Sequence, residues 1–411
     1  MAHIVPETAD GGSVEAGSWG SIGLVCMYAI VAAASITKLM PLTSVLGHAF
    51  NAGPRSIGFA ISLISVSSLV AATIGGVIID RVGARTAIIS ASIVAVISNI
   101  IGFFATSVFM LDVARLIEGV EFIGINAAAP VLLMTITSGP RRMKAMSLYS
   151  TYLPIGGALG LLLAAPFAGS GHWRGVFALH GAIFVVATCF GGLLPKTPRV
   201  PPTKAISRTA KLPAICWQAG PLRLSLAFLW ITVAGLGTST VLPRYLAQTH
   251  HVSIAAASTI LAVANLAWIV GSIVGGLLLA RNVGTSLLYL IMTAVGMVSG
   301  FLLYAPWARF PVALAVLSAW VFAQGAALAV ITSLLPQVVR DPGQRGAASG
   351  LMLQVMAVGA LFTPPVFLTI LAKGNWLYLV LPVLAGWALS FVFLPAGART
   401  SVSSSAVAAG K

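Results

Sequence analysis

Ala114-Arg115-Leu116-Ile117-Glu118-Gly119-Val120-Glu121-Phe122-Ile123-Gly124-Ile125-Asn126 decides how the chain is read. It sets Arg115, Glu118 and Glu121 inside an apolar run that continues on both sides. An Arg or Glu near the centre of a membrane helix costs roughly 3 kcal/mol on insertion scales, so it faces a protein interior or a watery cavity and marks a pathway. At 100° per residue, with Arg115 at zero, Asn126 falls at about +20°, Glu118 at about −60° and Glu121 at about −120°. One broad helix face carries them all.

The sequence around this stretch is that of a polytopic membrane protein. Only 8% of the 411 residues are charged and 58% are hydrophobic, with a mean hydropathy of +1.01, outside the range of water-soluble domains. Apolar segments of about 20 residues recur from end to end, each able to cross roughly 30 Å of hydrocarbon as a helix. The short alternating segments of a β-barrel are absent. Helices are expected at about 21–45, 55–79, 86–107, 109–137, 146–169, 173–194, 221–246, 252–280, 285–305, 310–339, 347–372 and 375–396. The fold class is therefore all-α, with twelve transmembrane helices.

The formal charge is +15 and the pI about 10.5, but the basic residues are scattered over short loops without a basic domain. That pattern argues against nucleic acid as a partner. With the N-terminus placed inside, sixteen Lys and Arg fall on the inner side and six outside. Arg115 in the membrane completes the 23. This satisfies the positive-inside rule and puts both termini in the cytoplasm. The expected location is the plasma membrane, in a bacterium the inner membrane. Cys26, Cys189 and Cys216 are too few and too widely spaced for a disulfide framework or a metal site. No cofactor or metal is expected. Phosphate-binding loops, nucleophile elbows and HExxH motifs are absent, so the chain does not read as an enzyme.

Residues 195–220 form the longest polar interruption, rich in proline and basic residues, and read as a cytoplasmic linker between two halves. The expected organisation is a tail at 1–20, a six-helix bundle at 21–194, the linker, a second bundle at 221–397 and a tail at 398–411. The halves echo each other. Gly75-Gly76-Val77-Ile78-Ile79-Asp80-Arg81 is answered by Gly275-Gly276-Leu277-Leu278-Leu279-Ala280-Arg281 at an offset of 200, and Pro140 by Pro342 at 202. A duplicated six-plus-six bundle follows from that agreement.

The loop Gly76-Val-Ile-Ile-Asp80-Arg81-Val-Gly83-Ala84-Arg85 resembles the signature loop of the major facilitator superfamily, with Ala84 where a basic residue is common. Arg115-Leu-Ile-Glu118-Gly119 resembles that family's fourth-helix motif, Pro154-Ile-Gly156-Gly157-Ala-Leu-Gly160 its glycine-rich fifth helix, and Trp173-Arg174 the usual opening of its sixth. Arg-Leu-Ile-Glu-Gly, Ala127-Ala-Ala-Pro130 and Ser150-Thr-Tyr-Leu-Pro154 are together similar to the cyanate-permease-like branch. The resemblance implies two bundles rocking about a central site, lined by the first and fourth helices of each half and flanked by the second and fifth. It also implies that Gly76, Asp80, Arg81, Gly83 and Arg85 form the gating loop. The third, sixth, ninth and twelfth helices, nearly free of ionisable groups, suit lipid contact.

Candidate site residues follow. Arg115 either binds an anionic substrate or pairs with Glu118 or Asp112. Glu118 and Glu121 are the proton-carrier candidates, of which both need not serve and either can instead be a structural pair, with Glu118 favoured as nearest Arg115: burial and a neighbouring cation act oppositely on a carboxyl, leaving it open to retuning by conformational change. Lys38 meets substrate entering from outside or snorkels to the outer interface. Arg244 lies near the outer end of the seventh helix, and with Lys38 makes the outer cavity positive, which favours an anion. Asn126, Tyr152, Asn265, Trp268, Gln324 and Gln354 are candidate substrate contacts that serve equally well to join helices. His180, alone in an apolar helix, reads as a packed histidine. The expected function is secondary active transport of a small anion by alternating access, with proton coupling, as a monomer in the lipid bilayer. A proton-driven multidrug exporter is the alternative, followed by a transporter-like sensor or a membrane enzyme.

Overall fold

The computed structural model describes residues 17–69, 79, 82–195, 218–339 and 344–395, and within these every regular element is a helix. Eleven runs are long and apolar enough to cross a bilayer: Trp19–Ala49, Ala84–Phe103, Val108–Ile136, Gly139–Phe167, Arg174–Leu193, Ala219–His250, Ile254–Ala280, Thr285–Leu303, Phe310–Val338, Ala347–Ala372 and Trp376–Phe393. The shorter apolar helix Pro54–Leu69 holds the second position. Counting it, the spans are numbered first to twelfth in chain order. Both tails, the interior of the linker, and Gly76, Asp80 and Arg81 of the signature loop lie outside the described residues.

Several boundaries depart from expectation for local reasons. The first span begins at Trp19 because the Ser18 hydroxyl caps it, accepting the Ser21 amide at 3.1 Å. It is also interrupted. The α-helix Trp19–Thr37 passes through a 3-10 turn at Met40–Leu42, containing Pro41, into Thr43–Ala49. The fourth span is capped by the Ser107 hydroxyl accepting the Met110 amide at 3.2 Å. Gly83 precedes the third span at φ 85°, a left-handed conformation that favours glycine. Two residues on, Arg85 donates to the Gly192 carbonyl at 3.1 Å, tying the start of the third span to the end of the sixth.

Duplication is visible in the packing. Gly102 of the third span faces the Phe177 ring of the sixth, and Gly296 of the ninth faces the Trp387 ring of the twelfth. Gly119 of the fourth lies against the second span, as Gly325 of the tenth lies against the Trp268 backbone of the eighth. Side chains at these positions would collide, so glycine sets how closely the helices approach. The third, sixth, ninth and twelfth spans expose Ile97, Val186, Val298 and Leu381, as lipid contact requires.

The two bundles meet through the second and eleventh spans and through the fifth and eighth, pairs that exchange under the duplication. Gln354 of the eleventh donates to the Leu69 carbonyl at 3.3 Å. Nearer the end opposite Trp19, a Cβ on Gly58 would lie 2.3 Å from Pro365 Cα. Gly58→Val is therefore expected to hold the bundles apart at that end, read as faster alkylation of a cysteine introduced at Ala52 in the variant than in the Gly58 protein. Equal rates would show that the contact does not seal this end.

Candidate functional site

Lys38 caps the first helical segment just before the Met40–Leu42 turn. It lies neither at an interface nor on an open path, contrary to both expectations, but points into the N-terminal bundle with no exposed surface. An ammonium offers three donors and accepts nothing. Here they meet Asn99 Oδ1 at 2.7 Å, His180 Nδ1 at 3.0 Å and the Glu118 carboxylate, above the Phe177 ring at 4.6 Å. Because Lys38 can only donate, His180 Nδ1 accepts. The imidazole proton then sits on Nε2 and is given to the Val31 carbonyl at 3.0 Å, so the ring is neutral.

Arg115 is equally buried. Its guanidinium reaches the Glu118 carboxylate, the Ser35 carbonyl at 2.9 Å, and the Ala60 and Ile61 carbonyls of the second span, each at 3.2 Å. Gly119, one turn on, explains that reach. A Cβ there would lie 2.6 Å from the Ile64 carbonyl and 2.4 Å from Ser67 Oγ, so only glycine lets the second span close onto Arg115. The Arg-x-x-x-Gly spacing is thus one device: a fork, and the gap that brings carbonyls to it. Asp112, the other pairing candidate, makes no ion pair with Arg115; Glu118 does.

Glu118 is clasped from both sides, one carboxylate oxygen toward Lys38 and the other toward Arg115. Glu121 is placed differently. One oxygen accepts the Ser35 hydroxyl at 3.2 Å and the other has no partner, with the whole side chain buried. Ser35 therefore connects the two parts, its carbonyl on Arg115 and its hydroxyl on Glu121. The third and sixth spans, expected to suit lipid contact, also contribute Asn99 and His180. His180 is packed, as expected, against Phe184, but it is also a ligand of Lys38. Asn99 and Ser35 were not predicted. A lone amide in the apolar third span was a usable signal for Asn99, whereas Ser35 had none, since serine is common in such helices.

The other candidates lie elsewhere. Asn126 donates to the Phe122 carbonyl of its own helix at 2.9 Å, and its backbone carbonyl accepts the Tyr149 hydroxyl at 2.8 Å. Tyr149 and Tyr152 stack at 4.9 Å across the break in the fifth span. Asn265 lies opposite Gly157 of the fifth span, and Trp268 packs against Gly325. Gln324 is buried and reaches the Ile231 carbonyl at 3.4 Å, joining the tenth span to the seventh. Arg244 stands apart, lining a pocket of about 420 Å³ between the bundles. The offset of 202 takes Arg115, Glu118 and Glu121 to Leu317, Trp320 and Ala323, which lie in the apolar core of the C-terminal bundle. Thr238 is 200 residues after Lys38 and also buried. Among the described residues, the buried ion cluster lies in one half. No three His, Cys, Asp or Glu side chains gather as a metal would need, among the described residues.

The sequence profile of the Major Facilitator Superfamily matches residues 24–364. The chain belongs to this superfamily of transporters. Among curated relatives, the arabinose-proton symporter of Escherichia coli K12 is 30% identical over 144 residues, 34% of this chain and 30% of that protein. The cephamycin export protein of Amycolatopsis lactamdurans is 26% identical over 202 residues, 48% of this chain and 37% of that protein. The matched segments thus span about a third of each relative. The crystal structure of a D-xylose-proton symporter superposes with a TM-score of 0.75 at 15% identity, covering 91% of this chain and 97% of that one. At that identity the likeness is one of fold. Twelve helices in two bundles are the architecture of this superfamily, and the protein is a multi-pass membrane protein. The narrower resemblance to the cyanate-permease-like branch gains no specific support from these relatives.

Proposed function

We propose that this chain is a proton-coupled secondary transporter of a small, neutral, hydroxylated solute, with Glu121 as the proton carrier. The observation that carries the reading is the contrast between two carboxyls one helical turn apart. Glu118 is held by two cations and has no free oxygen to exchange a proton. Glu121 has the Ser35 hydroxyl and one open oxygen, facing the fixed charges of Lys38, Arg115 and Glu118. The preference for Glu118 drawn from its nearness to Arg115 therefore passes to Glu121. A movement of the first span that withdraws Ser35 alters the Glu121 environment and the Arg115 anchorage together. That link is a direct route from helix rocking to proton affinity.

The solute class rests on where the cations went. Two of the three cations invoked for an anionic substrate, Lys38 and Arg115, are consumed by Glu118 inside one bundle. Near the meeting of the bundles lie the neutral amides Asn265 and Gln354, with Tyr152 on the fifth span stacked on Tyr149. Such groups recognise hydroxyls by hydrogen bonding and stacking, and the relatives named for arabinose and xylose transport are consistent with that chemistry. An anion keeps one specific support, Arg244, considered below. The assignment of the Trp19 end to the cytoplasm, of the opposite end to the exterior and of the location to a bacterial inner membrane rests on the distribution of Lys and Arg.

Uptake by proteoliposomes against a panel of pentoses, hexoses, nucleosides and small carboxylates, with and without an inward proton gradient, tests this reading. Gradient-driven accumulation of a neutral member is the expected result. Accumulation of carboxylates alone, or gradient-driven export of lipophilic cations, would overturn it.

A further inference from the structure

The 420 Å³ pocket at the end opposite Trp19 lies outside the buried charge site and is built by both bundles. From the N-terminal half come Thr43, Ser44 and His48, at the end of the first span, and Asn51 in the following loop. Arg244 of the seventh span and Leu368 of the eleventh close it from the C-terminal half. Asn51 sits at φ 48°, a left-handed conformation that asparagine tolerates at a tight turn. The volume is in the range of small-molecule sites.

Its charge is one-sided. Acidic residues are scarce throughout the sequence, and among the described residues Asp112, Glu118 and Glu121 are the full set, none of which lines the pocket. Arg244 makes no ion pair or hydrogen bond among the described residues, whereas several arginines of the bundles are tied down. Arg115 is committed to Glu118 and carbonyls, Arg174 to the Phe103 and Ala105 carbonyls, and Arg85 to the end of the sixth span. A guanidinium held in a concave site with hydroxyls, an imidazole and an amide opposite it matches the donors that an oxyanion requires.

We propose that this pocket binds a small oxyanion, of the phosphate or carboxylate class, from the side opposite Trp19, as a regulator rather than as cargo. Because Arg244 belongs to one bundle and Thr43, Ser44 and His48 to the other, the anion bridges them only while this end is closed. The Gly58–Pro365 contact lies in the same layer, between the spans that supply Ile57 and Leu368 to the pocket wall. Occupancy therefore stabilises the closed arrangement and slows the cycle. This inference does not depend on which solute is carried.

The test uses the full-length protein in lipid nanodiscs, with inorganic phosphate as probe and sodium chloride at matched ionic strength as control. Phosphate should raise the Tm saturably by a few degrees. Arg244→Gln should abolish the shift, Arg244→Lys should retain part of it, and His48→Gln should weaken it. Each variant is compared with its own phosphate-free Tm, which separates lost binding from lost stability. Proteoliposomes containing the unaltered protein should accumulate no labelled phosphate, with or without a proton gradient. A Tm unmoved by phosphate, a shift that survives Arg244→Gln, or phosphate accumulation would each overturn the proposal. None of these readouts requires that the proton carrier be correctly assigned.

Discussion

Glu121→Gln is expected to abolish proton-driven accumulation while leaving exchange intact. Gln keeps the shape of the side chain and can still accept the Ser35 hydroxyl, so the bundle has no cause to rearrange. It cannot bind and release a proton. With one proton carried per solute, a gradient of one pH unit and no membrane potential supports about tenfold accumulation, since 1.4 kcal/mol is a factor of ten in an equilibrium. In the Gln variant accumulation should fall to unity, while counterflow of the same solute between preloaded vesicles and medium proceeds at a comparable rate. Retained tenfold accumulation would return the carrier role to another group. Loss of counterflow as well would mean that Glu121 serves structure or solute binding instead.

The second large effect concerns stability and has a defined order. Lys38, Arg115 and Glu118 carry a net charge of +1, with His180 neutral. Glu118→Gln raises that to +2 and leaves two buried cations sharing a neutral amide. Removing the counter-ion of a buried pair costs about 3–5 kcal/mol. Lys38→Met instead removes the ammonium together with its hydrogen bonds to Asn99, His180 and Glu118, and leaves a balanced Arg115–Glu118 pair with no uncompensated buried charge. Thermal denaturation in nanodiscs should therefore rank Glu118→Gln well below Lys38→Met. Equal losses would contradict the view that Glu118 neutralises two cations at once.

Much of the fold was legible because hydrophobic length acts locally, one span at a time. The glycine pair that set the offset of 200 includes Gly75 and Gly76, outside the described residues; other glycines of the two halves, Gly102 with Gly296 and Gly119 with Gly325, make equivalent helix contacts. The helical wheel correctly put Arg115, Glu118 and Glu121 on one buried face. What it could not supply was partners. A lysine about 16 residues into a helix reads the same whether it snorkels or turns inward, and the choice for Lys38 is made by Asn99 and His180 on other helices. Likewise, the distinction between Glu118 and Glu121 depends on the approach of the first span, which places Ser35 beside one carboxyl and Lys38 beside the other. Arg244 was legible as a cation near a helix end, but the pocket around it depends on the closure of two bundles and has no linear signature.

The confinement of the buried ion cluster to one bundle also bears on the response of the carrier to voltage. When Glu121 is ionised, the cluster of Lys38, Arg115, Glu118 and Glu121 sums to zero, and the empty carrier can reorient without moving charge through the field. When Glu121 is protonated, the sum is +1. A unit charge crossing 100 mV is worth about 2.3 kcal/mol, scaled by the fraction of the field swept as access changes. The C-terminal bundle has Leu317, Trp320 and Ala323 at the related positions and so carries no counterpart of this buried cluster. Membrane potential should therefore accelerate the loaded half-cycle and leave the unloaded return unaffected, as currents on solid-supported membranes would record.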